Sequence, residues 1–282
     1  MKFNSYFASI HAYLCADGYV IKNPENQKHH YYYIGFRNTN LILLNDFQKK
    51  FSKVFGITPI ITKDKDRCKV QNKELTLKLI KEFKSFYSEN WTLPNISKTH
   101  LKSWLRSYFD SDGWVGLVHR KDRKIGLESI NLKGLEQIQV TLKLFDITST
   151  IKRHKNRYIW SLTICGKDDI ERFKKNIGFL HPKKSRKLDE ALASYVNYNW
   201  DIPSGNENLI RFMSEKGKVS QSRKQVRFSS IIKQNLIDLQ NKLLKLEIES
   251  RLNGPWSNPY GSIWYCLSVR LDDYKKIIGG EK

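Results

Sequence analysis

The feature that most constrains the fold is an internal repeat. Residues 5–20, SYFASIHAYLCADGYV, align without gaps with residues 100–115, HLKSWLRSYFDSDGWV, at a constant offset of 95 positions. Both segments carry apolar residues at helical spacing and then read x-Asp-Gly-aromatic-Val. Self-similarity of this kind predicts two halves that fold alike.

The residues that follow each copy repeat the same alternation of patterns. A short extended segment leads into an amphipathic helix, then into strand-like residues and a second helix. Each copy therefore predicts helix, two strands, helix, two strands and helix, which is an α+β fold with antiparallel sheets. The apolar helix positions are Leu44, Phe47 and Phe51 in the first copy and Leu135, Ile138 and Leu142 in the second; the later strand-like segments are 56–61 and 158–164, and the later helices are 73–86 and 168–176.

A third copy follows near the C-terminus. Residues 226–248 align with 125–147 at an offset of 101, and the tryptophan segment 158–164 recurs at 262–269. Residues 209–219 resemble the second acid-bearing helix, with Lys216 at the position of Asp112. We therefore predict domains at 1–98, 99–200 and 201–282, the third being a degenerate repeat without the acid. The turn-forming cluster within 200–222 predicts a linker.

Composition narrows the class of partner. Fifty Lys and Arg against 28 Asp and Glu give a formal charge of +22, which favours a polyanionic partner and nucleic acid in particular. No apolar run approaches the ~18 residues of a membrane span. The four cysteines include no CxxC pair, so a zinc site and a disulfide framework are both disfavoured. We expect an intracellular protein, cytoplasmic or organellar, that is not secreted.

A stripe of small residues runs along both acid-bearing helices at the same spacing. Small side chains allow two helix backbones to approach closely. If the two helices pack on each other, their C-terminal ends place Asp17 beside Asp112. The stripes are Ala8, Ala12 and Ala16 in the first helix, and Ser103, Ser107 and Ser111 in the second.

The two aspartates sit where a helix is already negative. Unpaired carbonyls make the C-terminal end of a helix negative, so a carboxylate there requires a compensating charge. A divalent cation would supply that charge and would take carbonyl oxygens as further ligands. Gly18 and Gly113 suit the left-handed position beyond a helix end. A single Asp-Gly is usually only a turn, but the repeated context favours a site.

The motifs resemble those of the LAGLIDADG homing endonucleases. The family's nine-residue motif falls on IHAYLCADG at 10–18 and on LRSYFDSDG at 105–113. The resemblance implies a single-chain enzyme with tandem αββαββα repeats, pseudo-twofold symmetry and an antiparallel DNA-binding saddle. It also implies that Asp17 and Asp112 bind Mg²⁺ (or Mn²⁺), and that the enzyme cuts both strands of a long duplex target. An earlier acidic position of the motif is kept only by Asp110, and we expect His11 and Arg106 to lie off the packed face.

The same resemblance implies supporting residues. In the segment GFLHPKKSRKL at 178–188, Lys183 is the first choice for stabilising transition-state charge, with Lys184 and Lys187 as fallbacks. Asn38 and Ser129 match positions that orient water in the family. Residues of the alternating segments are expected to contact DNA: Lys22, Lys28, His29, Tyr31, Tyr33, Arg37, His119, Arg120, Lys121, Arg123, Lys124, Lys152, Arg153, Lys155 and Arg157.

Other functions compete with cleavage. A chain of this fold can serve as an intron RNA maturase or as a non-cleaving DNA-binding regulator, and a basic architectural protein is a further class. Both acids are present, which favours cleavage, because a pure binder gains little from negative charges beside phosphates. Since the chain begins with Met and shows no recognisable splicing block, we expect a free-standing monomer rather than an intein-borne endonuclease.

Overall fold

The order of helices and strands confirms the two predicted halves. The computed structural model describes residues 1–23, 31–118, 122–195, 200–257 and 263–279. It divides into two compact units, Met1–Tyr195 (unit 1) and Val196–Lys282 (unit 2). Unit 1 contains α1 (Ser5–Cys15), β1 (Gly18–Lys22), β2 (Tyr32–Arg37), α2 (Leu41–Phe55), β3 (Ile60–Ile61), β4 (Arg67–Gln71) and α3 (Lys73–Phe83), then α4 (Lys98–Asp112), β5 (Trp114–Val118), β6 (Asp122–Ser129), α5 (Leu132–Lys143), β7 (Thr150–Arg153), β8 (Trp160–Cys165), α6 (Lys167–Asn176) and α7 (Pro182–Ala193).

Asparagine side chains begin four of the helices in unit 1. Each lies just before the first helical residue and accepts a hydrogen bond from a backbone N–H of the first turn, which would otherwise lack a partner. The capping residues are Asn4 for α1, Asn40 for α2, Asn72 for α3 and Asn131 for α5.

The two sheets of unit 1 have the same topology. Their strand orders are β1-β2-β4-β3 and β5-β6-β8-β7, and every neighbouring pair is antiparallel. Successive side chains of a strand point to opposite faces. Ile34 and Phe36 of β2, like Ile125 and Leu127 of β6, belong to one continuous core that spans both halves. The apolar positions predicted on α2 and α5 are all fully buried in it.

Helices α1 and α4 pack directly against each other, as the small-residue stripes predict. Ser9 Oγ donates to the Ser103 carbonyl oxygen across 3.3 Å, and Ala8 and Ala12 are fully buried. The expectation for His11 was wrong, because His11 is 1% exposed and its Nδ1 lies 3.1 Å from the Trp104 Nε1 donor. Trp104 supplies the polar partner that lets the imidazole be buried.

Unit 2 contains α8 (Asn206–Lys216), β9 (Lys218–Ser220), β10 (Gln225–Ser230), α9 (Lys233–Leu244), β11 (Ser250–Ser257), β12 (Ile263–Arg270) and α10 (Leu271–Ile278). This is again helix, two strands, helix, two strands and helix, and the sheet order is β11-β12-β10-β9. Phe228, Leu236 and Leu267 belong to a core of its own. The turn-forming cluster predicted as a linker, at 203–206, leads directly into α8. None of the helices in the described part of the chain combines the length and apolar composition of a membrane span.

Candidate active site

Two aspartates lie where the paired helices α1 and α4 end. Asp17 occupies the turn between α1 and β1, and Asp112 is the last residue of α4. Their charges interact, because the proximity of Asp17 raises the pKa of the Asp112 carboxyl group. The predicted juxtaposition of two acids at the end of one helix interface is therefore present in the structure.

The environment of both carboxyl groups disfavours ionisation. Burial raises the pKa of Asp112 from 3.8 to about 7, and the negative charge of Asp17 adds to that rise. Hydrogen bonding from Tyr108 and the positive charge of Lys184 oppose it. Burial also raises the pKa of Asp17, against a hydrogen bond from Asn38 and the charge of Lys184. Two acids that are costly to ionise together are poised to bind a cation.

The two acids have different polar partners. Asn38 Nδ2 donates directly to Asp17 Oδ2 across 3.1 Å. Asp112 instead bonds to the Tyr108 hydroxyl group, which in turn is hydrogen-bonded to Ser129. Ser129 thus reaches its acid through the side chain of Tyr108, whereas Asn38 contacts its acid directly. This difference breaks the equivalence of the two halves at the site.

Asn38 and Ser129 do occupy the same local turn. Asn38 Oδ1 accepts the N–H of Asn40 across 2.9 Å, and Ser129 Oγ accepts the N–H of Asn131 across 3.1 Å. Each turn leads straight into the capped helix α2 or α5. The position of both side chains is consequently fixed by the backbone.

Lys184 is the lysine that lies at the acids. Its Nζ donates to the carbonyl oxygens of Phe109, Asp110 and Ser111 at 3.1, 2.6 and 2.9 Å. These carbonyls form the negative end of α4, so the compensating charge predicted there is supplied by the protein itself. Lys183 and Lys187 are exposed on α7, and the structure does not bring Lys183 to the acids as it brings Lys184.

Asp110 has a structural role at the site that the sequence analysis did not predict. It is 1% exposed, and its carboxyl oxygen accepts the backbone N–H groups of Leu180 and His181, each across 2.9 Å. These residues immediately precede α7, which carries Lys184. Asp110 therefore positions the lysine. The available signal was an acid kept in only one of two otherwise similar motifs.

The role expected for the motif glycines was wrong. Gly113 has φ −73° and ψ 155°, which is extended rather than left-handed. Gly18 is also absent from the described glycines with positive φ. A Cβ at Gly18 would lie 2.3 Å from Leu14 Cα, and one at Gly113 would lie 2.4 Å from the Phe109 carbonyl oxygen. Close approach of the departing strand to its own helix is what requires glycine here.

The strand register sorts the predicted DNA contacts by face. The outer faces of the unit 1 sheets are those opposite Ile34, Phe36, Ile125 and Leu127. The side chains of Tyr33, Arg37, Lys124 and Lys152 alternate with core residues and so lie on those faces. Arg67 and Lys69 of β4 share the first outer face, since they pair with Arg37 and Gly35. The sequence reasoning missed these two cations.

The remaining predicted contacts divide into three groups. Lys22, Arg123 and Arg153 alternate onto the core side of their strands, and Arg123 bonds to Ser194 and lies 4.3 Å over the Tyr195 ring. Tyr31 stacks on Tyr33 before β2, and Lys155 and Arg157 are exposed between β7 and β8. Five predicted contacts fall outside the described residues: Lys28, His29, His119, Arg120 and Lys121.

The donor set fits a hard divalent cation. Two carboxylates supply anionic oxygen ligands of the type that Mg²⁺ and Mn²⁺ prefer. Among the described residues, no group of three or more His, Cys, Asp and Glu side chains is arranged around a common point. Any ion held by Asp17 and Asp112 would therefore complete its coordination with backbone, water or substrate oxygens.

The chain is similar to segments of several archaeal proteins. It is 32% identical over 124 residues to a replication factor C small subunit of Thermococcus kodakarensis, covering 43% of this chain and 14% of that protein. It is 30% identical over 152 residues to a DNA polymerase of the same organism (51% and 8%). It is 28% identical over 184 residues to the ATP-dependent DNA helicase Hel308 of Methanocaldococcus jannaschii (60% and 13%). The chain thus spans less than a fifth of the length of these three relatives.

Solved structures and a family model complete the comparison. A mesophilic variant of the homing endonuclease I-DmoI superposes with a TM-score of 0.49 at 13% identity, covering 66% of this chain and 97% of that chain. I-WcaI bound to its DNA recognition sequence gives 0.45 at 17% identity, covering 67% and 88%. The model of the LAGLIDADG-like domain matches residues 4–87 and again 100–178, which is more than half of the chain and takes in both acids. The chain therefore belongs to the LAGLIDADG family.

Proposed function

We propose that unit 1 is a site-specific endonuclease that makes double-strand breaks in a long DNA target with the help of Mg²⁺ or Mn²⁺. The observation that carries this proposal is the pair of interacting, partly buried acids at the end of the α1–α4 interface. A chain with a formal charge of +22 has little structural need to bring two carboxylates together. Both acids come from one chain, so the site requires no partner subunit.

Each residue of the site has a proposed role. Asp17 and Asp112 would hold the metal, which supplies Lewis acidity at the scissile phosphate and favours hydroxide over water. Lys184 neutralises the end of α4 and places positive charge beside the acids, where the transition state accumulates negative charge. Asn38 fixes the orientation of Asp17, and Ser129 fixes Tyr108, which holds Asp112. A role for Lys183 stays a prediction.

Double-stranded DNA is the substrate that the sheets of unit 1 favour. Lysine and arginine side chains neutralise phosphates and so drive binding to nucleic acid. Tyr33, Arg37, Arg67 and Lys69 share one outer face, while Lys124 and Lys152 share the other. A two-stranded ribbon or a sheet of this kind can enter the major groove, where base edges are read.

Two alternatives have less support. A non-cleaving regulator would have no need of the acid pair, and a maturase would act on intron RNA through the same basic faces. The similar archaeal proteins are a replication factor subunit, a DNA polymerase and a DNA helicase, and the matched segments are small parts of them.

A selection from a randomised duplex library tests the proposal. The protein is incubated with the library in Mg²⁺ or in EDTA, and the ends of cut molecules are sequenced. We expect Mg²⁺-dependent double-strand breaks at one long site. Asp17→Asn and Asp112→Asn should each lower the rate of double-strand cleavage at least ~100-fold, because each removes a metal ligand. Binding to the selected site should change little. Unchanged cutting by either variant would remove the acids from the mechanism.

A further inference from the structure

We propose that the exposed face of the unit 2 sheet binds single-stranded nucleic acid. This function is separate from cleavage by unit 1 and does not depend on it. The face is the side of β9–β12 opposite the core residues Val226, Phe228, Leu267 and Val269, and it is called here the outer face of unit 2. It borders a cavity of about 980 Å³ that is open to solvent.

A row of cations crosses the outer face of unit 2 from strand to strand. Arg227 lies directly opposite Lys218 on one side and opposite Ser268 on the other. Ser268 lies in turn opposite Arg251, so three of the four positions in the row are basic. Like charges placed opposite each other destabilise a sheet. A bound phosphate chain would convert this repulsion into attraction.

The two arginines of the row have no ion pair within the described residues. In the part of the chain that the structure describes, no carboxylate forms an ion pair with Arg227, Arg251 or Arg270. Glu249 is the one acidic residue among those that line the cavity. The charges of these three arginines are therefore available to a polyanion.

Two tryptophans occupy the same face beside the cations. Ser129 pairs with Trp160 in unit 1, and the corresponding Ser230 pairs with Tyr265 in unit 2. Tyr265 is thus the scaffold counterpart of Trp160, one position away from the residue that the sequence alignment indicates. Trp264 points instead to the outer face, where it lies opposite Trp256, which is 51% exposed.

Aromatic side chains beside basic ones favour a single strand over a duplex. Unpaired bases stack on exposed indole rings, while the phosphates that link them meet the neighbouring cations. Bases in a duplex are already stacked on one another, so their faces are closed to Trp256 and Trp264. Ser268 lies four positions after Trp264 on β12, or about 13 Å away at ~3.3 Å per residue. A single bound strand can therefore reach both the tryptophans and the cationic row. Unit 2 has Lys216 at the position that aligns with Asp112, so it lacks the acid that cleavage would need.

The test measures binding of the full chain to an oligothymidylate of about 20 nucleotides, longer than the ~4–16 nucleotides that such surfaces cover. EDTA is present throughout, so cleavage plays no part. Anisotropy gives the affinity, and quenching of tryptophan fluorescence reports stacking. Trp256→Leu with Trp264→Leu should weaken binding roughly tenfold or more and remove part of the quenching. Arg227→Gln with Arg251→Gln should lower the slope of log affinity against log salt by about 1.4, at ~0.7 per phosphate contact.

A matched variant removes two charges from the helical side of unit 2. Lys245→Gln with Lys275→Gln changes exposed residues that the outer face does not include, and we expect less than a twofold effect, as for surface changes away from a binding site. A duplex of equal length serves as competitor. Unchanged oligothymidylate binding by the tryptophan variant would overturn the proposal. So would a loss confined to the duplex, which would make the face a second duplex contact.

Discussion

Replacing Asp112 with asparagine is expected to make the metal-free protein more stable at neutral and alkaline pH. The carboxyl group of Asp112 is held beside Asp17 in a partly buried position, and its pKa is raised from 3.8 to about 7. An amide at this position cannot ionise, yet it can still accept the hydrogen bond from Tyr108. The variant should therefore lose activity and gain stability through the same change.

The size of the gain follows from the pKa. An acid whose folded-state pKa is raised leaves the free energy of unfolding unchanged below its unfolded pKa. Above that pH it lowers the free energy of unfolding, and the loss grows until the pH passes the folded-state pKa. A rise from 3.8 to about 7 corresponds to roughly 4 kcal/mol when complete, at about 1.4 kcal/mol per tenfold change. Roughly 2–3 kcal/mol of this cost accumulates between about pH 5 and about pH 8.

The assay is urea unfolding of the wild type and of Asp112→Asn at about pH 5 and about pH 8, in EDTA. The difference in the free energy of unfolding should move in favour of the variant as the pH rises. Mg²⁺ should then stabilise the wild type more than the variant, because a ligand that binds the folded state stabilises it.

The matched control is Asp64→Asn, which removes a carboxyl group from an exposed position before β4. Subtracting this control isolates the contribution of Asp112 from that of the other titrating groups. A difference between wild type and Asp112→Asn that stays constant over this pH range would refute the reasoning. It would mean that the carboxyl group is solvated well enough to ionise freely in the folded protein.

Two further predictions concern the residues around the acids. Lys184→Met should reduce cleavage at least tenfold and lower the free energy of unfolding by about 1–3 kcal/mol, because three helix-end carbonyls lose a charged donor. The control Lys183→Met should change the free energy of unfolding by less than ~0.5 kcal/mol. Equal losses of stability in the two variants would contradict the placement of Lys184 at the acids. Ser107→Leu should cost about 1–3 kcal/mol in urea unfolding, because Ser107 is 1% exposed in α4; an unchanged midpoint would contradict close packing of α1 on α4.

The features that a periodic pattern encodes could be predicted from the sequence. The repeat at an offset of 95 and the spacing of Leu44, Phe47 and Phe51 predict the halves and their buried helix faces. The small-residue stripes predict the helix pair, and the helix pair brings Asp17 to Asp112. Each of these rests on residues that share a face because of helical geometry.

Features that depend on tertiary contacts could not be predicted in this way. Lys183 and Lys184 differ by one position, which on a helix is a rotation of about 100°, and only the placement of α7 by Asp110 selects Lys184. His11 is buried because Trp104, on another helix, donates to it. The place of Trp264 depends on strand register, where a shift of one residue moves every side chain to the opposite face.

The hydrogen bonds between α1 and α4 also limit how halves of this family can be recombined. Ser5 meets His100, Ser9 meets the Ser103 carbonyl oxygen, and His11 meets Trp104. A first half grafted onto a foreign second half would keep the buried imidazole of His11 while losing its indole donor. The Cys15 thiol, 3.4 Å from the same Nδ1, would then be the remaining partner, and a thiol is only a weak hydrogen-bond donor. Compatibility of halves in a chimera is therefore decided at His11 and Trp104 as well as at the small residues, and an exchange that moves these two residues together would preserve the interface.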